Sequence, residues 1–334
     1  MTKNAKEYTF ANAYLGSHVK NLMSRQDLMR VASSRDLAAA EAVLQEFGYG
    51  EGKDIFGDDL EYFMREEQKK LFDLVFNTLS DRKALGMFLF PYDYHNIKVF
   101  LKAEFLGITV DDTYLVSTSF IDPKKLEVMI RDRNLVFLSS NMRAAITEAV
   151  DLVGRSGDPQ QIDIIMDRAC YNDMLKGAMR TEDEFLIGYV KLQIDILNLT
   201  TFVRLRQINK PWSFFQKVFL EGGNISEKFF ITSYEEPYAQ LADKLAPYGL
   251  KELMAEGGRE VKETGDFGLF EKMGTDKMMD YTKKAKYQSF GIAPIAAYWI
   301  AKETEIDNLR IVLAGKLAGL SAEVIGERLR EPYV

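Results

Sequence analysis

The sequence predicts an all-α protein built from three structurally similar helical units. Three observations carry that expectation. An acid-x-x-Asn-aliphatic pattern occurs three times, as Asp93-Tyr94-His95-Asn96-Ile97-Lys98, Asp195-Ile196-Leu197-Asn198-Leu199-Thr200 and Glu305-Ile306-Asp307-Asn308-Leu309-Arg310. The three asparagines stand 102 and 110 residues apart, and three units of that size nearly fill 334 residues, so the repeat sets the domain plan. Convincing two-residue alternation is absent: the β-rich pieces Leu115-Val116-Ser117-Thr118 and Phe229 to Thr232 are short and isolated. The units expected are residues 1–114, 115–220 and 221–334.

Each copy carries more than its matched letters. Ile97, Phe100 and Leu101, then Leu199, Phe202 and Val203, then Leu309, Val312 and Leu313 lie one, four and five residues after the asparagine, which is one apolar stripe of a helix. An aromatic precedes each copy (Tyr92, Tyr189, Tyr298), and bases follow or complete it: Lys98 and Lys102, Arg204 and Arg206, Arg310 and Lys316. The second copy departs from the pattern, with Thr200 where the base stands in the others. Acid and asparagine, three residues apart, share a helix face. Asparagine is a poor mid-helix residue, because its amide competes with the backbone for hydrogen bonds. Its recurrence at one register therefore predicts a specified hydrogen bond to a neighbouring helix or loop, fixing register inside each unit; a shared binding or catalytic site is the alternative.

The elements follow in order. Tyr8 to about Met29 reads as a helix with Ala11, Leu15, Val19, Leu22 and Met23 on one side. Ser33 to Asp36 breaks it and caps a helix over Leu37 to Phe47. Gly48 to Gly52 is a loop. Asp58-Asp59 opens a helix striped by Leu60, Phe63, Met64, Leu71, Phe72, Val75, Phe76 and Leu79. Pro91 stands near the start of the first signature helix, where proline is tolerated, and Gly107 ends it. Asp122-Pro123 is a helix entry. Helices then cover Leu126 to Arg131, Asn141 to Val153, Gln160 to Lys176 and Thr181 to about Arg206, with Gly154 to Pro159 a turn and Asn209-Lys210-Pro211 a stop. Ser226 caps a helix near Glu227 to Ile231; Pro237 to Leu245 and Gly249 to Glu256 are helical. Lys262 to Met279 is weakly patterned, helix or loop, and Asp280 to Ser289 is helical. After the turn Gly291 to Pro294 the long helix Ala297 to Leu320 carries the third signature, and Ser321 caps a short helix over Glu323 to Leu329.

Composition narrows the function. Apolar residues make 47% and charged residues 28% of the chain, ordinary for a soluble protein. The net charge of −7 and the lack of a basic stripe with interleaved aromatics argue against nucleic acid. One cysteine, Cys170, excludes internal disulfides and reads as a core thiol in a reducing compartment. The opening MTKNAKEYTF has no apolar stretch of a secretory leader. The densest apolar run, Leu85 to Phe90, is far short of the ~20 residues a membrane span needs.

Catalytic constellations are missing. The two histidines, His18 and His95, lack acids at metal-site spacing and read as packed or surface residues. There is no phosphate-binding loop, and Gly48, Gly50 and Gly52 have the wrong spacing for a dinucleotide fingerprint. The paired acids Asp58-Asp59, Asp111-Asp112 and Glu182-Asp183-Glu184 lack the third acid of a metal motif, since Tyr62 and Leu115 occupy the next positions; acids at helix starts meet the helix dipole. Trp212 and Trp299 read as core or interface anchors. No cofactor or metal is expected, and the chain reads as a binding or mechanical part. The alternatives are an all-α metal-dependent enzyme with an acid-lined pocket and a helical-repeat scaffold, although ~105-residue units exceed the usual 20–50-residue solenoid repeat.

The three signatures, the opening Tyr8-Thr9-Phe10-Ala11-Asn12-Ala13-Tyr14 and the ending Ile325 to Val334 together resemble the C subunit of the V-type (archaeal and bacterial, V/A-type) rotary ATPases, which is similar to the d subunit of the eukaryotic vacuolar enzyme. The resemblance covers essentially the whole chain. It implies three helical units around a pseudo-three-fold axis, forming a funnel on the cytoplasmic face of the membrane rotor ring of proteolipid subunits. The funnel would receive the shaft made of the D and F subunits, rotate with both, and carry torque between ATP turnover and proton or sodium movement while catalysing nothing. On that reading Lys98, Lys102, Arg204, Arg206, Arg310 and Lys316 are candidates for partner contact around the axis. Solvated helix faces and intrahelical pairs explain the same bases about as well.

Overall fold

The computed structural model describes residues 8–50 and 60–334. The opening residues 1–7, the tail of the Gly48 to Gly52 loop and the paired acids Asp58-Asp59 lie outside the described residues. The fold is all-α: no strand occurs among the described residues, and they form two compact units, Met1–Asp81 with Glu252–Val334, and Arg82–Lys251.

The first unit opens with α1 (Thr9–His18), α2 (Arg25–Ala32), α3 (Leu37–Glu46) and α4 (Leu60–Phe76). The single helix expected from Tyr8 to Met29 is therefore two. A short 3-10 turn over Val19–Asn21 ends the first, Leu22 turns extended, and Ser24 starts the second with a capping box. Ser24 Oγ accepts the Asp27 N–H while the Asp27 carboxylate accepts the Ser24 N–H, which satisfies two donors that a helix start otherwise leaves open. Asp36 caps α3 by accepting from the Ala39 N–H.

The second unit holds α5 (Phe90–Leu106), α6 (Pro123–Arg131), α7 (Ser140–Ser156), α8 (Gln160–Arg180), α9 (Glu184–Gln207), α10 (Trp212–Val218), α11 (Glu227–Thr232) and α12 (Tyr238–Leu245). Gly107 ends α5 with φ +67°, a left-handed cap that glycine adopts without Cβ strain. Helix α8 packs against α5, α7 and α9. Alone among the described helices, α9 is long and apolar enough to cross a membrane. Its apolar length is accounted for inside the unit, where Leu186, Val190, Ile194, Leu199, Phe202 and Val203 are fully buried. Phe202 meets Phe215, Phe230 and Tyr234 at ring-centroid distances of 5.7, 5.5 and 5.3 Å, an aromatic cluster that adds to burial alone.

The chain returns to the first unit with α13 (Gly258–Thr264), α14 (Gly268–Thr282), α15 (Ala293–Leu317) and α16 (Ala322–Arg328). The weakly patterned stretch from Lys262 to Met279 is thus helical, interrupted by Gly265 with φ +78°. Helix α15 is the core of this unit and touches α1, α2, α4, α14 and α16. Trp299 is buried in it, edge-on to Phe76 at 5.3 Å. Trp212, by contrast, is 46% exposed and anchors no core.

Candidate functional site

The repeated signature builds the same device three times. Asn96, Asn198 and Asn308 are fully buried mid-helix, and each turns both ends of its amide onto one loop residue. Asn96 donates from Nδ2 to the Val116 carbonyl at 2.9 Å and accepts the Val116 N–H at 2.9 Å. Asn198 does the same to Leu220, at 2.8 and 2.9 Å. Asn308 repeats it on Arg330, at 3.0 and 2.8 Å. A primary amide offers a donor and an acceptor side by side at every pH, so it pairs with a peptide group as another peptide group would. Asparagine, unlike glutamine, brings that amide in on a short side chain.

The hydrogen bond that its recurrence predicts, to a neighbouring helix or loop, is therefore made to a loop. The asparagine clamps the backbone of a loop further along the chain, after α5 for Asn96, after α10 for Asn198 and after α16 for Asn308. The apolar stripe beside it is buried in all three copies, and the Asn198 clamp on Leu220 is itself fully buried, where an unpaired peptide group costs most.

The acid three residues earlier holds a second point. Asp93 accepts the Ile121 N–H at 2.8 Å. Asp195 accepts the Ile225 N–H on Oδ1 at 2.9 Å, and the Asn224 N–H and side-chain amide on Oδ2 at 3.1 and 2.8 Å. Gly223 is required there: a Cβ on it would stand 2.3 Å from Asp195 Oδ1. Glu305 instead accepts the Met23 N–H at 2.5 Å and the Tyr49 hydroxyl proton. Lys302 donates to both Glu305 and Tyr49 Oη at 2.6 Å and lies over the Tyr49 ring at 4.4 Å.

In each case the residue held by the acid immediately precedes a helix cap: Asp122 caps α6, Ser226 caps α11 and Ser24 caps α2. In the first two copies one acid and one asparagine thus fix where a loop ends and the next helix begins; in the third they hold two separate segments.

Burial sets the electrostatics. It raises the Asp93 carboxyl to about 7, against the opposing pull of the Ile121 and Phe120 N–H groups. Asp93 Oδ2 is buried without a hydrogen-bond partner among the described residues. Burial also raises Asp195, offset by the Ile225 and Asn224 donors and by the Lys191 charge. The Tyr49 phenol is pushed far above its usual value by burial first and by the Glu305 charge next.

The bases of the signature are engaged within their own units. Lys98 and Lys102 pair with Asp167 and Asp163 of α8 at 2.8 and 2.7 Å. Arg310 reaches Asp307 at 3.1 Å and Glu61 at 3.3 Å. Lys316 donates to the Ala32 and Ser34 carbonyls at 3.2 and 2.8 Å, where it closes the C-terminus of α2. The Arg206 guanidinium lies between the Phe202 and Tyr238 rings, at 5.3 and 4.4 Å from their centroids. Arg204 is exposed on α9. Thr200, at the place of the missing base, bonds back to the Ile196 carbonyl at 2.8 Å.

The other singled-out residues have local roles. His18 Nδ1 lies 2.8 Å from the Tyr14 carbonyl and His95 Nε2 lies 2.9 Å from the Tyr114 carbonyl. Asp111 and Asp183 cap helix starts. Burial raises the Cys170 thiol well above its usual range.

The acids and asparagines stand out in the sequence; Met23, Tyr49 and Lys302 do not. The Ser24-x-x-Asp27 cap is the one local signal of the break beside Met23.

Known proteins match this chain along most of its length. Residues 11–328 match the family described as ATP synthase (C/AC39) subunit. The chain is 25% identical to the C subunit of the V-type sodium ATPase of Enterococcus hirae over 328 residues, covering 98% of this chain and 99% of the relative. It is 24% identical to the C subunit of the A-type ATP synthase of Thermococcus kodakarensis, over 97% of this chain and 90% of the relative. To that of Methanocaldococcus jannaschii it is 21% identical, over 95% and 85%. With the match running from α1 to the end of α16 and through all three signatures, the chain belongs to the ATP synthase (C/AC39) subunit family.

Proposed function

We propose that the chain is a non-catalytic central-stalk subunit of a V-type ATPase or ATP synthase. In this reading it links the shaft of the D and F subunits to the proteolipid rotor ring at the cytoplasmic face of the membrane. It transmits the torque that couples ATP hydrolysis or synthesis to proton or sodium transport. The observation that carries the reading is the end-to-end match to C-subunit relatives, joined to a chemistry of buried clamps rather than reactive groups.

Torque transmission needs a stiff body. Close-packed helices resist deformation, and loops pinned at two buried points each lose the freedom that loops ordinarily keep. The three repeats 1–114, 115–220 and 221–334 are proposed as the mechanical units. Each ends near a clamped loop, and the second and third begin near a residue held by an acid.

The bases we assign to partner contact are Lys102, Arg204, Arg206 and Lys316, whose intramolecular contacts a partner would have to displace or share.

The test is co-sedimentation of the purified chain with the membrane rotor ring, with and without the D and F subunits. Saturable binding to the ring, and a three-way complex on adding the shaft, is the expected result. A folded chain that binds neither removes this function. Charge reversal at Arg204 should weaken one of those contacts and reduce its salt dependence; unchanged affinity takes that residue out of the interface.

A further inference from the structure

The third acid site is closed differently from the other two. Asp93 and Asp195 hold residues 28 and 30 positions further along the chain. Each of those residues stands five places beyond the residue held by the neighbouring asparagine, Val116 or Leu220. If the acid contact opened there, the asparagine clamp next door would keep the loop in place. Glu305 holds Met23 across 282 positions. The residue after the Asn308 clamp, Glu331, sends its N–H to Asp276 of α14 instead.

Met23 begins a segment with polar anchors on α15 and α16. The Met23 N–H goes to Glu305. The Arg25 guanidinium donates to the Gly326 carbonyl at 2.8 Å. The Ala32 and Ser34 carbonyls receive Lys316. Its apolar face, Leu22, Met23, Leu28 and Val31, is buried.

We propose that Leu22 to Ser34 is a detachable strap: it occupies the third acid site in place of a loop, and it leaves α15 and α16 as a unit while Asn308 keeps its clamp on Arg330. At the other two sites the residue held by the acid lies five positions from a second anchor, the asparagine clamp; Met23 has no such neighbour. The asparagine clamp beside Glu305 holds Arg330 and so does not tether the strap. Tyr49 and Lys302 supply the extra donors that hold the carboxylate in position when the strap is seated. Local opening of this kind is drawn from the less tethered parts of a fold. The inference concerns this chain alone and stands apart from the proposed rotor role.

Amide hydrogen exchange of the intact chain tests it. In the unaltered protein, the peptide spanning the strap should exchange at least tenfold faster than those containing Ile121 and Ile225. Glu305→Ala should speed the strap a further tenfold or more and leave the Ile121 and Ile225 peptides unchanged. Lys316→Ala, at the far end, should speed the same peptide because the strap opens as a unit. Should Glu305→Ala fail to fold, Tyr49→Phe removes one donor to the same carboxylate, and a several-fold rise confined to the strap is expected. Equal protection at the three sites in the unaltered chain overturns the proposal, as does acceleration that spreads alike to all three or stays local to the mutated contact.

Discussion

Asp195 and Glu305 stand three residues before a clamping asparagine, on α9 and α15, yet the two carboxylates receive different partners. Asp195 meets the N–H groups of Asn224 and Ile225 in the nearby loop between α10 and α11. Glu305 meets Met23, Tyr49 and Lys302, two of them far away in the chain. The asparagines beside them do the same thing in both places. The two halves of the signature therefore have separable jobs. The asparagine is a fixed local clamp, and the acid is a socket for whatever backbone begins the next helix. A change at the asparagine should therefore act alike in every copy, scaled by burial. A change at the acid should depend on who occupies the socket.

The largest effect comes from breaking a clamp. Asn198→Leu leaves the Leu220 N–H and carbonyl unpaired in a site where Leu220 is 8% exposed. At ~1–3 kcal/mol for each buried unsatisfied group, a loss of about 2–6 kcal/mol is expected. Asn308→Leu frees the Arg330 peptide groups in a half-buried position, where water can reach them, and should cost about half as much. Calorimetric melting of the two variants, followed beside helical circular dichroism, compares them. Equal losses would mean that burial does not scale the clamp.

The asparagines are legible because a polar side chain at a fixed place on an apolar stripe needs a reason, and three copies supply one. Val116, Leu220 and Arg330 are not legible as partners. They contribute only peptide groups, and every residue carries the same peptide group. Met23 is hidden for a second reason: its contact spans 282 positions, and no local pattern reaches that far. The helix break next to it is readable in Ser24-x-x-Asp27, but the apolar spacing of Leu15, Val19, Leu22 and Met23 runs through it and masks the cap. The bases are visible as charges. Their partners on α8, Asp163 and Asp167, require knowing that α5 and α8 pack together.

A second comparison sets Asp93 against Asp195. Asp195 uses both oxygens, while Asp93 leaves Oδ2 buried and unpartnered among the described residues, and burial raises its carboxyl to about 7. The folded state then holds a proton that the unfolded chain gives up near pH 4. Its contribution to stability is full below about pH 4, declines as pH rises to about 7, and is level above. Linkage makes that decline on the order of 2–4 kcal/mol. Asp93→Asn should flatten it while keeping an oxygen for the Ile121 N–H. Asp195→Asn should destabilise at every pH, because an amide NH2 would face the Asn224 donors. Urea midpoints at pH 5 and pH 8 decide the matter; an undiminished pH 5 to pH 8 drop in Asp93→Asn would clear Asp93 of responsibility.

The loops that fill the sockets differ in the same way. Gly223 has no room for a side chain, with Asp195 Oδ1 2.3 Å from where its Cβ would be. Ser119, two residues before the held Ile121 as Gly223 is before Ile225, carries a hydroxyl that donates to the Ile121 carbonyl at 2.7 Å. Gly223→Ala should cost ~1–3 kcal/mol through displacement of the loop from the carboxylate, and the melting temperature should fall accordingly. Ser119→Gly, which loses that hydrogen bond and the one its hydroxyl accepts from Asn96 Nδ2 at 3.3 Å and adds backbone freedom, should cost ~1–3 kcal/mol. A neutral Gly223→Ala would show that the second loop has slack that the first lacks.

The smallest effect is expected at the bases, and it separates the buried half of the signature from its exposed half. Lys102 and Asp163 pair at 2.7 Å, but their side chains are 39% and 38% exposed. Such a pair gains little from Coulomb attraction in a watery environment and gives up side-chain freedom to form. It is worth roughly 0.2–1 kcal/mol and less in salt. Lys102→Ala should therefore move the urea midpoint barely, and the small shift should vanish in ~1 M salt. The Lys98 and Asp167 pair at 2.8 Å is less exposed on the lysine side, at 24%, so Lys98→Ala should cost slightly more and keep part of its effect in salt. A loss at Lys102 as large as that of Asn198→Leu would break the distinction, because it would mean that the base is as much a part of the clamp as the asparagine six residues before it.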